Sequence, residues 1–371
     1  MKKFSVMLST TALVLSLAVP GFAADTIKLG VAGPHSGDLA PYGIPAMKAA
    51  QLVVKKVNAA GGVLGKQVEL LIQDDQCKPE IATNTATKLV TDGANVVLGH
   101  ICSGATKAAL GIYNDAKIPV MSPSATNPPL TQSGDYPNFF RTIASDDMQA
   151  KMAVDFAINT LGLKKIAVLH DKGDYGKGFA EFAKQYLDQS GKVEVVLFEG
   201  ITPGAMDYSS IVQKVRQNKA EALIFGGYHP EASKLVAQMK RKRLDTVFIS
   251  DDGVKDDSFL KVAGDAADGA YVTGPRDLSS IPLNSAATAE FKAEYGAEPG
   301  AFFQEAYSAT MAMLNAIEKA GSTDYAAVTN VLRTQYVETP VGNIKFDSKG
   351  DAEGVGFSIY KVEAGTFKEI K

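Results

Sequence analysis

The sequence predicts an α/β protein of two doubly wound lobes, joined by a hinge that the chain crosses more than once. Three observations carry this. From Thr26 onward, short apolar runs alternate with amphipathic runs of helical period. The alternation pauses between Ser122 and Phe140, in a stretch rich in Pro, Ser, Asn and Thr, and then resumes. The last third holds helical runs with no matching series of strands. Alternation of this kind implies parallel sheets covered by helices on both faces. Such sheets present ligand sites beyond the carboxyl ends of their strands.

The elements follow in order. Strands are predicted at 26–31, 67–72, 96–98 and 118–121, with helices at 46–58, 81–90 and 105–113 between them. Gly61-Gly62 stops the first helix. Ser122 to Phe140 reads as loop, Phe139 to Thr142 as a short extended run, and Ser145 as a helix N-cap. The second series has strands at 165–170, 193–198, 222–225, 246–250 and 269–272, with helices at 175–187, 208–217 and 231–239. Helices at 284–295, 301–319 and 325–334 are expected to return and cover the first sheet. Residues 343–347 and 356–361 are expected to pair as a closing hairpin. The resulting division is 1–23 as a signal peptide, 24–143 with 274–350 as lobe 1, and 144–273 with 351–371 as lobe 2.

The N-terminus is of a different kind. Lys2 and Lys3 precede an apolar run from Thr11 to Val19, and Pro20 to Ala23 supplies a breaker and small residues. This reads as a secretory signal cut after Ala23. The apolar run is too short to span a bilayer. No Cys stands at the cleavage point, so a soluble exported protein is expected. The charge is near balance at −3, and the longest basic run is Lys240 to Arg243. Nucleic acid and anionic membrane surfaces are therefore poor partners. Cys77 and Cys102 read as one disulfide or as two buried thiols, and export favours the bridge.

The search for chemistry yields binding groups and no reacting pair. Gly173-Asp-Tyr-Gly-Lys-Gly178 imitates a dinucleotide fingerprint, but Glu181 stands where a third small residue is needed. His35, His100, His170 and His229 lack metal-ligand spacing, although some could rim a cleft. Neither a metal nor a cofactor is expected, and no nucleophile–base pair is evident, so an enzyme is not expected. What recurs is a polar loop after each of several strands. His100 to Thr106 opens a helix, where Ser103 could cap it or hold an anion with the free N–H groups. Pro34 to Gly43, Ser122 to Thr126, Gly226 to Pro230 and Ser250 to Gly253 are loops of the same kind. Together they describe a cleft between two lobes.

Asp74-Asp-Gln-Cys77, Gly99-His-Ile-Cys-Ser103, Ser122-Pro-Ser-Ala-Thr126, His170-Asp-Lys172, Gly226-Gly-Tyr-His-Pro-Glu231 and Gly300-Ala-Phe302 carry a resemblance over essentially the whole mature chain. The sequence resembles the periplasmic binding proteins of branched-chain amino acid ABC transporters. The resemblance implies a type I periplasmic binding protein fold, an amino-acid ligand of the leucine, isoleucine or valine type, and delivery to membrane permease subunits by a monomer. It implies that Ser103 and Thr126 bind the ligand carboxylate. The Ser124 carbonyl, Tyr228 and Asp252 would bind the ammonium. Tyr42, Ile101, Cys102 and Phe302 would line the side-chain pocket, Tyr175 would close over it, and Cys77 would pair with Cys102. Two departures stand out. Asp252 is one methylene shorter than the usual Glu. Gln304 and Glu305 lie beside Phe302, where an aromatic-rich run is usual, and are expected to face solvent. The alternatives are a sensor that presents its ligand to a receptor, an importer protein for other amino acids or small carboxylates, or a cleft enzyme.

Overall fold

The computed structural model describes residues 25–370, so the expected signal peptide lies outside the described residues. Among them, no helix is long and apolar enough to cross a membrane. The first series runs β1 (Ile27–Gly33), α1 (Ala40–Ala59), β2 (Val68–Asp74), α2 (Pro79–Thr91), β3 (Val96–Leu98), α3 (Ser103–Asp115), β4 (Val120–Ser122), α4 (Pro129–Gln132) and β5 (Phe139–Arg141). Its strands form a parallel sheet in the order β2-β1-β3-β4-β5. β3, β4 and β5 are buried along their whole length, as strands covered on both faces must be. α1 begins at Ala40 rather than Ala46. Pro41 stands in its first turn, where a missing N–H costs little, and Pro45 is accommodated inside it.

The second series runs α5 (Asp146–Asp155), β6 (Lys165–His170), α6 (Asp174–Ser190), β7 (Glu194–Gly200), α7 (Ser209–Gln217), β8 (Ala222–Gly226), α8 (His229–Arg241), β9 (Val247–Ser250), α9 (Asp257–Ala263) and β10 (Tyr271–Pro275). The remainder gives α10 (Pro282–Tyr295), α11 (Phe303–Ala320), α12 (Tyr325–Thr334), β11 (Val337–Thr339), β12 (Gly342–Ile344), β13 (Phe357–Glu363) and β14 (Thr366–Ile370). The second sheet has the order β14-β13-β10-β9-β8-β6-β7. Its parallel part repeats the order of the first sheet. Each sheet therefore reverses direction at one point, between β1 and β3 in the first and between β6 and β8 in the second. A crevice opens at such a point because the loops on either side leave to opposite faces.

The three late helices return to the first sheet, as expected. Phe291, Phe303, Ile317 and Val328 share one core with Leu29, Val31, Leu52 and Leu98. The closing hairpin forms differently from the expectation. β12 pairs with β11, and β13 pairs with β10 and β14, both antiparallel. Asp347 to Asp351 instead forms a turn in which one carboxylate oxygen of Asp347 accepts the N–H groups of Lys349, Gly350 and Asp351. That turn sends the chain back to the second sheet. The chain thus passes between the sheets after β5, after β10 and before β13. We propose lobe boundaries at 143, 273 and 350.

Arg141 ties these passages together. Its side chain is fully buried. Nε donates to Asp351 (2.5 Å), Nη2 to the Thr131 hydroxyl (2.7 Å), and Nη1 to the Asn127 carbonyl (3.1 Å). Removing one partner of such a pair strands a buried charge. Asp351→Asn is expected to destabilise the protein by about 2–3 kcal/mol, less than for a fully buried pair because Asp351 is partly exposed. A melting temperature within a degree of wild type would show that Arg141 does not need this carboxylate.

Candidate functional site

The site is built at the two crevices. Ile101 to Ser103 follows β3, Ser124 to Thr126 follows β4, Tyr175 opens α6 after β6, Tyr228 follows β8, and Asp252 follows β9. Tyr42 comes from α1, and Phe302 immediately precedes α11. Tyr42, Ile101, Ser124 and Phe302 from one side, and Tyr175, Tyr228 and Asp252 from the other, surround a cavity of about 240 Å³. These are seven of the residues expected from the sequence. Cys102 lies outside this cavity, on an adjoining part of the cleft that it shares with Cys77, Tyr175 and Tyr228. It is bonded to Cys77, with 5.5 Å between their Cα atoms.

Aromatic rings form a wall across the cleft. Tyr228 lies 5.1 Å from Tyr175 and 5.9 Å from Tyr42, and Tyr42 lies 5.9 Å from Phe302, between ring centroids. Their hydroxyls do different things. Tyr175 donates to Asp252 Oδ1 (2.5 Å) and accepts from the Gly253 N–H (2.9 Å). Tyr42 crosses between the sheets and donates to the Gly253 carbonyl (2.5 Å). A hydroxyl has one proton, so its 2.6 Å contact with His229 Nδ1 is a bond that the imidazole donates. Burial lowers the His229 pKa, which favours the neutral ring. Asn127 Nδ2 also reaches across, to the Asp174 carbonyl (2.5 Å). The lobes are closed on one another.

The backbone explains the imitation fingerprint. A Cβ at Gly176 would lie 2.4 Å from the Gly226 carbonyl oxygen, so the glycine is there to let α6 approach β8. Gly178 makes room in the same way for the Asn127 side chain. Of the histidines, His229 is at the cleft. His100 is a fully buried partner of Asp75 (2.6 Å) and Tyr113 (3.1 Å).

Ser103 is not a helix cap. Cys102 occupies the N-cap position, and Ser103 Oγ accepts the Asn127 N–H (3.3 Å). The helix N-terminus therefore keeps its free N–H groups. Close by, the Thr126 carbonyl accepts the Asp146 N–H (3.0 Å), and the Thr126 hydroxyl lies beside the Asp146 carboxyl. Opposite, the Asp252 carboxyl is buried, with the Tyr175 hydroxyl and the Gln149 amide beside it.

The sequence reading missed several buried acids. Asp251 gives Oδ2 to the Gly227 N–H (2.9 Å) and leaves Oδ1 unpaired. Burial pushes the Asp251 and Asp146 carboxyls well above the ordinary range, and the Asp252 charge adds to both. Burial raises Asp252 too, against the pull of the Tyr175 hydroxyl. The doubled Asp251-Asp252 was a visible signal, but its burial was not. Glu305 is the clearest correction. It is 7% exposed rather than solvent-facing, and burial pushes it up to about 7. Gln304 is half-buried and donates to Thr288 Oγ1 (2.7 Å) on α10. Such a pocket is suited to binding a cation and an anion side by side in a dry space.

The sequence model of the periplasmic binding protein family matches residues 26–366. The chain belongs to that family. It is 40% identical over 366 residues to a leucine-, isoleucine-, valine-, threonine- and alanine-binding protein of Pseudomonas aeruginosa, covering 97% of each chain. It is 34% identical over 359 residues to the Leu/Ile/Val-binding protein of Escherichia coli, covering 96% of this chain and 97% of the other. A branched-chain amino acid transporter substrate-binding protein of Streptococcus pneumoniae, solved with isoleucine, superposes with a TM-score of 0.84 at 29% identity, over 93% of this chain and 98% of that one.

The buried Glu305 has a consequence for stability. A carboxyl near 4.5 when unfolded and near 7 when folded binds more protons in the native state between those values. Its contribution to stability is therefore lost as pH rises through that window. Glu305→Gln is expected to raise the melting temperature relative to wild type by more at about pH 8 than at about pH 5. An equal effect at both values would show that Glu305 is not raised.

Proposed function

We propose that this protein captures a free amino acid of the leucine, isoleucine or valine type in its cleft. It then delivers the ligand from the periplasm to the permease of an ABC transporter. Ser103 and Thr126, with the free N–H groups at the start of α3, hold the α-carboxylate. The Ser124 carbonyl, Tyr228 and Asp252 hold the α-ammonium. Tyr42, Ile101 and Phe302 flank the side chain, and Tyr175 closes the site. One observation carries the reading. The Thr126 hydroxyl, near the free N–H groups at the start of α3, and the Asp252 carboxyl are buried on opposite sides of a closed cleft. A hydroxyl beside free N–H groups suits a carboxylate, and a carboxylate oxygen suits an ammonium. The named relatives add weight, since they are amino-acid-binding proteins by name. Capture of this kind makes and breaks no covalent bond. The closed lobes present the loaded ligand to the transporter.

The decisive experiment is a ligand panel on protein unfolded and refolded to strip bound solute. Leucine, isoleucine or valine is expected to raise the melting temperature, since a ligand that binds only the native state stabilises it. Stabilisation by other solutes alone would keep the fold and overturn the ligand class. Asp252→Asn is expected to weaken leucine binding at least about a hundredfold in calorimetry, through loss of a buried charge pair. Near-normal affinity would remove Asp252 from the ammonium site.

A further inference from the structure

A second, larger cavity adjoins the ligand pocket, and Asp252 and Phe302 line both. It holds about 1350 Å³ of space, part of it open to solvent. Glu305 lines it from α11, with Lys255 and Tyr360 on the side of the second sheet. Three features of Glu305 need an explanation. It is buried, with 7% of its surface exposed. Among the described residues no other side chain donates a hydrogen bond to its carboxyl, whose backbone carbonyl alone is taken, by the Thr142 hydroxyl (2.9 Å). Lys255, the nearest balancing charge, is held over the Tyr360 ring at 4.2 Å rather than on the carboxylate. Its own backbone N–H reaches the carboxyl, which leaves further acceptor capacity facing the cavity. Asp252 adds a second buried carboxyl to the wall of the same cavity. Acids outnumber the cations Lys255 and Arg276 along its wall, so it favours donors and positive charge.

The placement is suited to a ligand side chain. Phe302 precedes α11 in a left-handed conformation, Glu305 lies in its first turn, and both line this cavity. A leucine side chain, held at its α-carbon between Thr126 and Asp252, ends near Phe302. A side chain with two or three more atoms reaches beyond it. We infer that Glu305 is a specificity-determining residue, which admits amino acids whose longer side chains end in a hydrogen-bond donor, an amide or an ammonium. This rests on the amino-acid reading of the site, and it extends the ligand class beyond aliphatic side chains.

The test is calorimetric titration of stripped wild type, Glu305→Met and Glu305→Gln with L-leucine, L-glutamine and L-lysine. Wild type binds all three. Glu305→Met lowers the ratio of glutamine or lysine affinity to leucine affinity by at least about tenfold. Glu305→Gln keeps the glutamine ratio and loses the lysine ratio, because it retains an acceptor and removes the charge. If Glu305→Met does not fold, the lysine-to-glutamine ratio in Glu305→Gln decides. Wild type that binds leucine but neither longer ligand overturns this inference alone, as do ratios unchanged by both variants. Wild type that binds no amino acid overturns the reading of the site as well.

Discussion

The hydrogen bond from Tyr42 to the Gly253 carbonyl is the contact on which the site depends. It is made at full burial between a helix of the first sheet and a turn of the second. Closing two lobes over polar loops buries every donor and acceptor on both faces, and each must find a partner or be lost to water. Tyr42, Tyr175 and Asn127 supply those partners along the seam. A site built from both lobes in this way is complete only when the lobes meet.

The charge pattern follows from the same constraint. Asp146, Asp251 and Asp252 are three buried acids in one region, where Arg141 acts on Asp146 and Lys255 on Asp252. Burial raises all three, so a closed and empty cleft is electrostatically uncomfortable. On the proposed reading, a ligand ammonium would give these acids a counter-charge in a buried place. The shorter Asp252 fits this picture. Its Oδ1 is already held by Tyr175, which draws the carboxylate toward the second lobe and leaves Oδ2 as the acceptor.

Much of the fold was legible in the residues. Alternating periods, the loop-rich pause after Met121 and the strandless late helices predicted two α/β units with a returning chain. The hairpin at the end was misplaced, because strand propensity says nothing of which edge is vacant. β10 offered an open edge to β13, and Arg141 drew Asp351 toward the hinge. Ser103 was legible as polar at a helix start, yet whether it caps the helix depends on Cys102 and on Asn127, a residue distant in sequence.

The sequence by itself determined the fold class and the loops that form the cleft, because period and composition are local properties. It also placed seven of the cavity residues, since strand ends must converge at the crevice of a doubly wound sheet. Only the tertiary structure decided which polar atoms there are paired. The loop from Ser250 to Gly253, His229 and Glu305 were visible as polar positions, but nothing local tells that Asp251 and Glu305 are buried or that Gly253 and His229 meet Tyr42. Pairing and burial are set by what packs on the other side, and that partner comes from the opposite lobe.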